Sequence, residues 1–434
     1  MVQKVWHPLG RHGIRARIAV CSDLHVCEAY ASRKKMGAAF RTFFQLDPLL
    51  DAAAFVGDVT DYGTAEQYRY LMELIQENTS GRFTSAGDPT RMIFCMGNHD
   101  TYKPGTAHAA KAFQEHTCQM PVKLVRVNGI GVITLAPGGE ADDDYTGCFD
   151  FLRESLQKAA AWNASAPIFV LAHHGVKNTA YLTHEWYGNY GEGTDHNLVR
   201  LMRQYPQVIH ISGHSHATLE DERSIDQSLG FTTIQDGTAG AYFENETGKF
   251  DPVSGKPATV PPFGEDACEA LVIDVMDSCR VTVHRLNMTA CRFCGPAWEI
   301  DIPLAVQAKK SGVVFAFPYT SARASQPPSF PPDTQAELEL LPDGSAEVCF
   351  PRAFPASGDN RNMVHSYCIR LFPKNGGKPT CHRVFADFYL ARQRADWRIR
   401  VPTEEFPASG CQRVEVCACT SFGTEGMPLS ICLR

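Results

Sequence analysis

What the chain lacks narrows it first. It has no uninterrupted apolar run of the about 18 residues that a bilayer-crossing helix needs, so no membrane span is expected. Its first residues, "MVQKVWHPLGRHGIRARIAVCSD", contain no apolar h-region of the secretory type, which predicts a cytoplasmic protein. It also lacks a basic excess. The formal net charge is −7, so no overall field draws nucleic-acid backbone or an anionic membrane. No internal repeat is visible.

What is present points to a folded chain of more than one domain. A hydrophobic content of 44% is that of a globular protein, and 434 residues exceed one ordinary core. The 16 cysteines are scattered over both halves. With no export signal, they are expected as reduced thiols, mostly small core residues. Cys291 and Cys294 have the spacing of half a zinc site. A structural metal joining them to Cys417 and Cys419 is the alternative to core packing, which is favoured.

Apolar runs at 15–25, 51–61, 91–100, 166–175 and 206–216 alternate with helical patterns at 35–46, 64–78, 149–163 and 198–205. Thr64, with Gln67 three residues on, is the expected N-cap of the second helix. Asn128-Gly129 predicts a hairpin between strands at 122–127 and 130–135. Sheet-like alternation continues at 231–235, 270–275 and 280–286. The pattern describes an α/β domain with a mixed sheet or two stacked sheets. It breaks near 287–312. Beyond the Pro-rich "SQPPSFPPD", short alternating runs at 336–341, 346–350, 366–372, 383–390, 396–401 and 412–418 predict an all-β sandwich.

The chemistry is concentrated at strand ends. Five predicted strands finish in "SDLH", "GDVTD", "GNHD", "AHHG" and "GHSH", which carry Asp23 and His25, Asp58 and Asp61, Asn98, His99 and Asp100, His173 and His174, and His214 and His216. Core satisfaction explains one or two such endings but not five at one sheet edge. In Asp-x-His and His-x-His the two side chains project the same way if the segment stays extended. Glycines 57, 97, 175 and 213 permit tight turns. Imidazole, carboxylate and amide oxygen suit Mn, Fe, Zn, Co or Ni, and there are ligands enough for two ions.

This ordered set, D-x-H, G-D-x-x-D, G-N-H-D, H and G-H-x-H, resembles the calcineurin-like metallophosphoesterases over about residues 15–285. The resemblance implies two stacked mixed β-sheets flanked by helices. It also implies two divalent or mixed-valence transition-metal ions and hydrolysis of a phosphoester, with a diester preferred. Asp23, His25 and His216 would hold the first ion, Asn98, His173 and His214 the second, and Asp58 would bridge them. His99 would act near the leaving group, oriented by Asp61. The fourth motif reads "HHGV" where many relatives carry a proline, so His174 is kept as the substitute for His173. "GDVTDYG" also lacks the Arg-Gly of the Ser/Thr protein phosphatases.

The expected organisation is a phosphoesterase domain over 1–290, a connecting region over 291–335 that includes the start of the next domain, and an accessory Ig- or fibronectin-like sandwich over 336–434. A small phosphoester is the favoured partner. Nucleic acid is not favoured, and the sandwich is a candidate contact for a protein or saccharide. The alternatives are a phosphomonoesterase, a nuclease, or a catalytically reduced metal-binding protein. His184, His196 and His210 have no matching motif. Asp142, Asp143 and Asp144 read as a solvated run. Tyr181, Trp186, Tyr187 and Tyr190, in the loop 176–197, either wall a substrate pocket or pack that loop.

Overall fold

Both faces of the first strand are buried, and this sets the architecture. In β1 (Ile14–Cys21), Ala16, Ile18 and Val20 enter one core while Ala19 and Cys21 enter another. β2 (Ala52–Val56) repeats the division, with Ala52, Ala54 and Val56 on one side and Ala53 and Phe55 on the other. A strand covered on both faces reads as a continuous apolar run. The computed structural model describes residues 6–138, 141–188 and 196–432.

The chain divides into two units, the first made of Met1–Leu219, Arg223–Phe243 and Glu265–Ser321. Its further strands are β3 (Arg91–Cys95), β4 (Lys123–Val127), β5 (Ile130–Thr134), β6 (Ile168–Leu171), β7 (Val208–Ser212), β8 (Ile225–Asp226), β9 (Thr232–Gln235), β10 (Glu269–Met276), β11 (Val281–Asn287), β12 (Arg292–Phe293) and β13 (Trp298–Ile300). One sheet has the order β12-β11-β10-β1-β2-β3, with β13 also on β11. The other has the order β4-β5-β6-β7-β9-β8. Both are mixed: β1 is parallel to β2 but antiparallel to β10, and the parallel run β5-β6-β7-β9 is flanked by antiparallel β4 and β8. The sheets stack through Ile18, Val20 and Ile93 of the first and Phe169, Leu171 and Ile211 of the second.

Helices cover the outer faces. α1 (Tyr30–Leu46), α2 (Ala65–Thr79) and α3 (Thr106–Thr117) place Phe40, Phe43, Tyr68, Leu71 and Phe113 on Phe55 and Phe94. α4 (Phe149–Trp162) and α5 (His196–Met202) place Leu152, Leu156 and Met202 on Val170 and Val208. α6 (Ile302–Ser311) adds Ile302 and Val306 to the inter-sheet core. The Thr64 side chain accepts from Gln67 N, the expected cap. Asn128 and Gly129 have φ of +47° and +85°, as a two-residue hairpin turn requires. Among the described residues no helix is long and apolar enough to cross a membrane.

The second unit comprises Glu220–Glu222, Glu244–Gly264 and Ala322–Arg434. Its strands are β14 (Glu337–Leu340), β15 (Ala346–Pro351), β16 (Ser366–Pro373), β17 (Thr380–Phe385), β18 (Asp396–Val401), β19 (Cys411–Cys419) and β20 (Leu429–Cys432). They form two all-antiparallel sheets, β14-β15-β18 and β17-β16-β19-β20. Tyr367 joins the two, its ring 4.9 Å from Phe350 and 5.1 Å from Trp397.

Two expectations need correction here. The strand expected at 383–390 ends at Phe385, because the chain turns at Ala386, whose N–H donates to His365. The expected cytoplasmic localisation is overturned by a disulfide, Cys368–Cys381, between β16 and β17, which takes up two of the cysteines expected as reduced thiols. Such a crosslink forms and persists in an oxidising compartment, which points to a secretory or extracellular setting. The spacing of 13 residues gives no sign of it; strand register brings the two together. Cys417, opposite Cys368 on β19, and Cys419 pack with Cys368 in a small core.

Candidate metal centre

Parallel strands bring the motifs to one place. β1, β2 and β3 run parallel in one sheet, β6, β7 and β9 in the other, so their carboxyl ends share an edge. The turns that follow are stitched by backbone bonds. Leu24 N and His25 N donate to Asp58 O at 2.9 and 3.0 Å, Gly213 N to His173 O at 2.9 Å, and Gly240 N to Asp23 O at 3.0 Å.

The ligand-type pairs do not converge from extended chain. Asp23, His25, Asp58, His214 and His216 have φ of +52°, +42°, +46°, +64° and +48°. Five non-glycine residues in the left-handed region represent strain that persists only where the surroundings over-determine it. Two glycines make room. A Cβ on Gly97 would lie 2.1 Å from Asp58 Oδ1, and one on Gly213 would lie 2.1 Å from Ser22 Oγ.

Three overlapping groups result: Asp23, His25 and His216; His25, Asp58 and His99; and Asp58, His173 and His214. In each, one donor atom per residue lies within 4.8 Å of the others. His216 Nε2 is 3.1 Å from Asp23 Oδ1, and His173 Nε2 is 3.1 Å from Asp58 Oδ2. His173, not His174, faces Asp58. The His174 ring is turned to Tyr145, with 2.9 Å between its Nδ1 and the phenol. Asn98 adjoins the groups through the next residue, whose N–H donates to Asp58 Oδ1 at 2.9 Å.

The donor set fits cations. His25 Nε2 and Asn98 Oδ1 are buried and make no hydrogen bond, an arrangement costly without a partner, while buried His173 Nε2 faces the Asp58 and Asp23 carboxylates. Their ring positions are fixed from behind: His173 Nδ1 by Val56 O at 2.9 Å and His25 Nδ1 by Asp61 Oδ1 at 3.1 Å. Outer partners of this kind orient metal-binding imidazoles.

Electrostatics agree with the geometry. Burial opposes ionisation of Asp23, but His216 and His173 hold its pKa at about 2. Burial likewise opposes a charged His173, yet Asp58 and Asp23 push it up to about 10. Burial, reinforced by the charge of His173, takes His214 down to about 3. Two buried carboxylates thus draw positive charge into the site, and a cation there competes with a proton on His173.

Sequence reasoning named Asp100 without giving it a role and missed several other neighbours. Asp100 is buried and accepts from Gly97 N, Thr60 N and Thr60 Oγ1 at 2.9, 3.0 and 2.7 Å, clamping the loop after β3 to the loop after β2. Burial and the Asp58 charge push its pKa up to about 6. Ser22 links Asp23 to buried Asp236. Tyr102 accepts from Asn98 Nδ2 at 2.9 Å, and Tyr242 lies 5.0 Å from His216, ring to ring. A lone tyrosine in a loop carries no sequence signal of this kind.

The remaining candidates divide between the centre and other places. In the loop 176–197, Tyr181 is buried with Leu182 and Ala217, Tyr187 pairs with Lys177, and Trp186 stands 6.1 Å from His214. Tyr190 lies outside the described residues. His210 is buried within β7, and Asp144 caps the turn before α4 by accepting from Thr146.

Residues 16–218 match the family model described as calcineurin-like phosphoesterase. Among solved structures, the chain is similar to a purple acid phosphatase, PPD1, from seeds of yellow lupin (Lupinus luteus). Identity is 12%, over 70% of this chain and 56% of that one, with a TM-score of 0.46. It is also similar to GAP50, the anchor in the inner membrane complex of Plasmodium, at 10% identity over 69% of this chain and 95% of that one, with a TM-score of 0.41. The chain spans just over half the length of the lupin protein. No curated protein matches. The metal-ligand clusters are consistent with metal-dependent phosphoester hydrolysis in general, and a calcineurin-like metallophosphoesterase domain is present over residues 16–218.

Proposed function

We propose that the chain is a binuclear metal-dependent hydrolase of a small phosphoester, preferring a diester. The observation that carries this is the overlap of the three ligand-type groups, which share His25 and Asp58. Asp23, His25 and His216 would hold one ion, Asn98, His173 and His214 the other, and Asp58 both. Two such ions supply an activated water and neutralise charge on the phosphoryl oxygens.

The chain's own residues do the rest. His99 is 28% exposed whereas His173 is 0% exposed, so His99 is placed to meet substrate. Its Nδ1 donates to the Asp61 carbonyl oxygen at 2.9 Å, which leaves Nε2 of the imidazolium form to give a proton to the leaving oxygen, the ring ending neutral. Asp100 and Thr60 keep the two loops in register. The chemistry belongs to 1–290, and 336–434 is accessory.

Metal analysis of Mn²⁺-loaded protein, combined with hydrolysis of bis(p-nitrophenyl) phosphate and p-nitrophenyl phosphate, tests the reading. Two ions per chain and faster diester cleavage are expected, with Asp58→Asn losing both ions. Two bound ions with no hydrolysis of either ester would refute it.

A further inference from the structure

A file of rings crosses the centre. Centroid to centroid, Tyr62 is 6.4 Å from Tyr102, Tyr102 is 4.4 Å from His99, and His99 is 4.4 Å from His25. His25 is then 5.6 Å from His216, and His216 is 5.0 Å from Tyr242. Trp186 stands beside the file, 6.1 Å from His214. The four large aromatics stay open to solvent: Tyr62 is 47% exposed, Tyr102 46%, Trp186 40% and Tyr242 39%.

One exposed aromatic needs no explanation. Four gathered at one set of histidines, three in ring contact with them and Tyr62 by way of Tyr102, do, because they come from the separate loops that follow β2, β3, β6 and β9. Packing within a single loop does not account for the meeting. Two of the rings lie on the His99 side; the Tyr102 ring is held at its hydroxyl, and Tyr62 is held at its main chain. Asn98 Nδ2 donates to the Tyr102 hydroxyl at 2.9 Å. Tyr62 is pinned through its main chain by Lys103 N at 2.9 Å and by Gln67 Oε1 at 2.7 Å. Anchoring of this kind lowers the entropy cost of ordering a wall for a flat group.

We propose that the leaving alcohol of the substrate carries a flat aromatic ring, seated against Tyr102 and Tyr62; this rests on the phosphoesterase reading, in which His99 faces the leaving oxygen. Aromatic faces hold another ring in offset or edge-to-face contact and add specificity beyond area alone. A saturated ring of the same bulk gains only the area. Aryl alcohols and nucleosides share the required chemistry.

Equilibrium binding to the Mn²⁺-loaded full chain, measured by calorimetry, separates these sources without turnover. The probes are 3-phenylpropylphosphonate against 3-cyclohexylpropylphosphonate, and the 5′-methylenephosphonate of adenosine against that of ribose. The aromatic member should bind roughly two- to tenfold more tightly. A preference in both pairs assigns any aryl group; one confined to adenosine assigns nucleosides. Equal or absent binding in both pairs overturns the proposal. Tyr62→Leu and Tyr102→Leu should each reduce the preference, with Tyr62→Leu informative even if Tyr102→Leu fails to fold. A preference undiminished in Tyr62→Leu and in any folded Tyr102→Leu also overturns it. A kept preference in a protein that hydrolyses no phosphoester counts against the hydrolase reading instead.

Discussion

The Asp61 carboxylate lies closer to His25 than to His99: its Oδ1 is 3.1 Å from His25 Nδ1 and 3.6 Å from His99 Nδ1. His99 is held by the Asp61 main chain instead. Replacing the Asp61 side chain therefore disturbs His25 first. Asp61→Asn should weaken Mn²⁺ affinity about tenfold, as loss of a charged partner behind a metal-binding imidazole does. The dependence of rate on leaving-group acidity should stay unchanged. Chelator competition together with a leaving-group series checks both; a steeper dependence with unaltered affinity would return the Asp61 carboxylate to His99.

Asp100 clamps two loops from a buried position, accepting from Gly97 N, Thr60 N and Thr60 Oγ1. Asp100→Ala leaves these donors buried without an acceptor. Each such loss costs about 1–3 kcal/mol, not additively, so a destabilisation on the order of 3 kcal/mol is expected. Denaturant unfolding measures it. A change below about 0.5 kcal/mol, the range of ordinary surface substitutions, would remove the clamp from the account.

The legibility of this chain follows from which signals are local. The strand ends were readable because each packs several chemical groups into four or five residues after an apolar run. The Thr64 cap and the Asn128-Gly129 turn were readable for the same reason. α3 was not, since only Ala109, Phe113 and Thr117 of its twelve residues are buried. β12 and β13 are two and three residues long, too short for any period to register, and α6 follows directly. Aromatic contacts with the histidines and the Cys368–Cys381 crosslink depend on register between distant segments. The expectation of extended Asp-x-His and His-x-His pairs failed because left-handed turns reverse the chain there.

Acid should loosen the first sheet through Asp274. Burial disfavours its charge, but the hydrogen bonds from Arg17 and His284 and the Arg17 charge outweigh this and lower its pKa. A carboxyl with a lowered folded pKa gives stability that is fully present above its unfolded value, about 3.9, and fades as pH falls through the folded value. Between pH 7 and pH 3, stability should drop more steeply in the parent than in Asp274→Asn, which starts lower. Parallel slopes in urea unfolding would contradict the assignment.

The Cys368–Cys381 crosslink should be countable. Thiol titration of denatured, unreduced protein purified from an oxidising compartment should find two fewer thiols than the reduced chain. Cys368→Ser/Cys381→Ser should lower stability by about 2–4 kcal/mol. An equal count before and after reduction would remove both the crosslink and the compartment it implies.

His99 separates chemistry from assembly. It touches the centre through its N–H on Asp58 and through its ring on His25, but its side chain is the exposed member of its group. His99→Asn should leave folding and both ions largely in place while slowing the chemical step by roughly 10²–10⁴-fold, the range for general acid catalysis. The loss should shrink for a nitrophenyl ester, whose leaving oxygen needs little protonation. If His99 only supports Asn98, every leaving group should suffer alike and metal content should fall with it. Measuring kcat/KM across esters of graded acidity, with ion content determined for each sample, distinguishes these outcomes. Full activity on poor leaving groups with two ions bound would end the assignment, since the remaining chain offers no other half-exposed imidazole whose Nδ1 is tied to a main-chain oxygen beside Asp58 among the described residues.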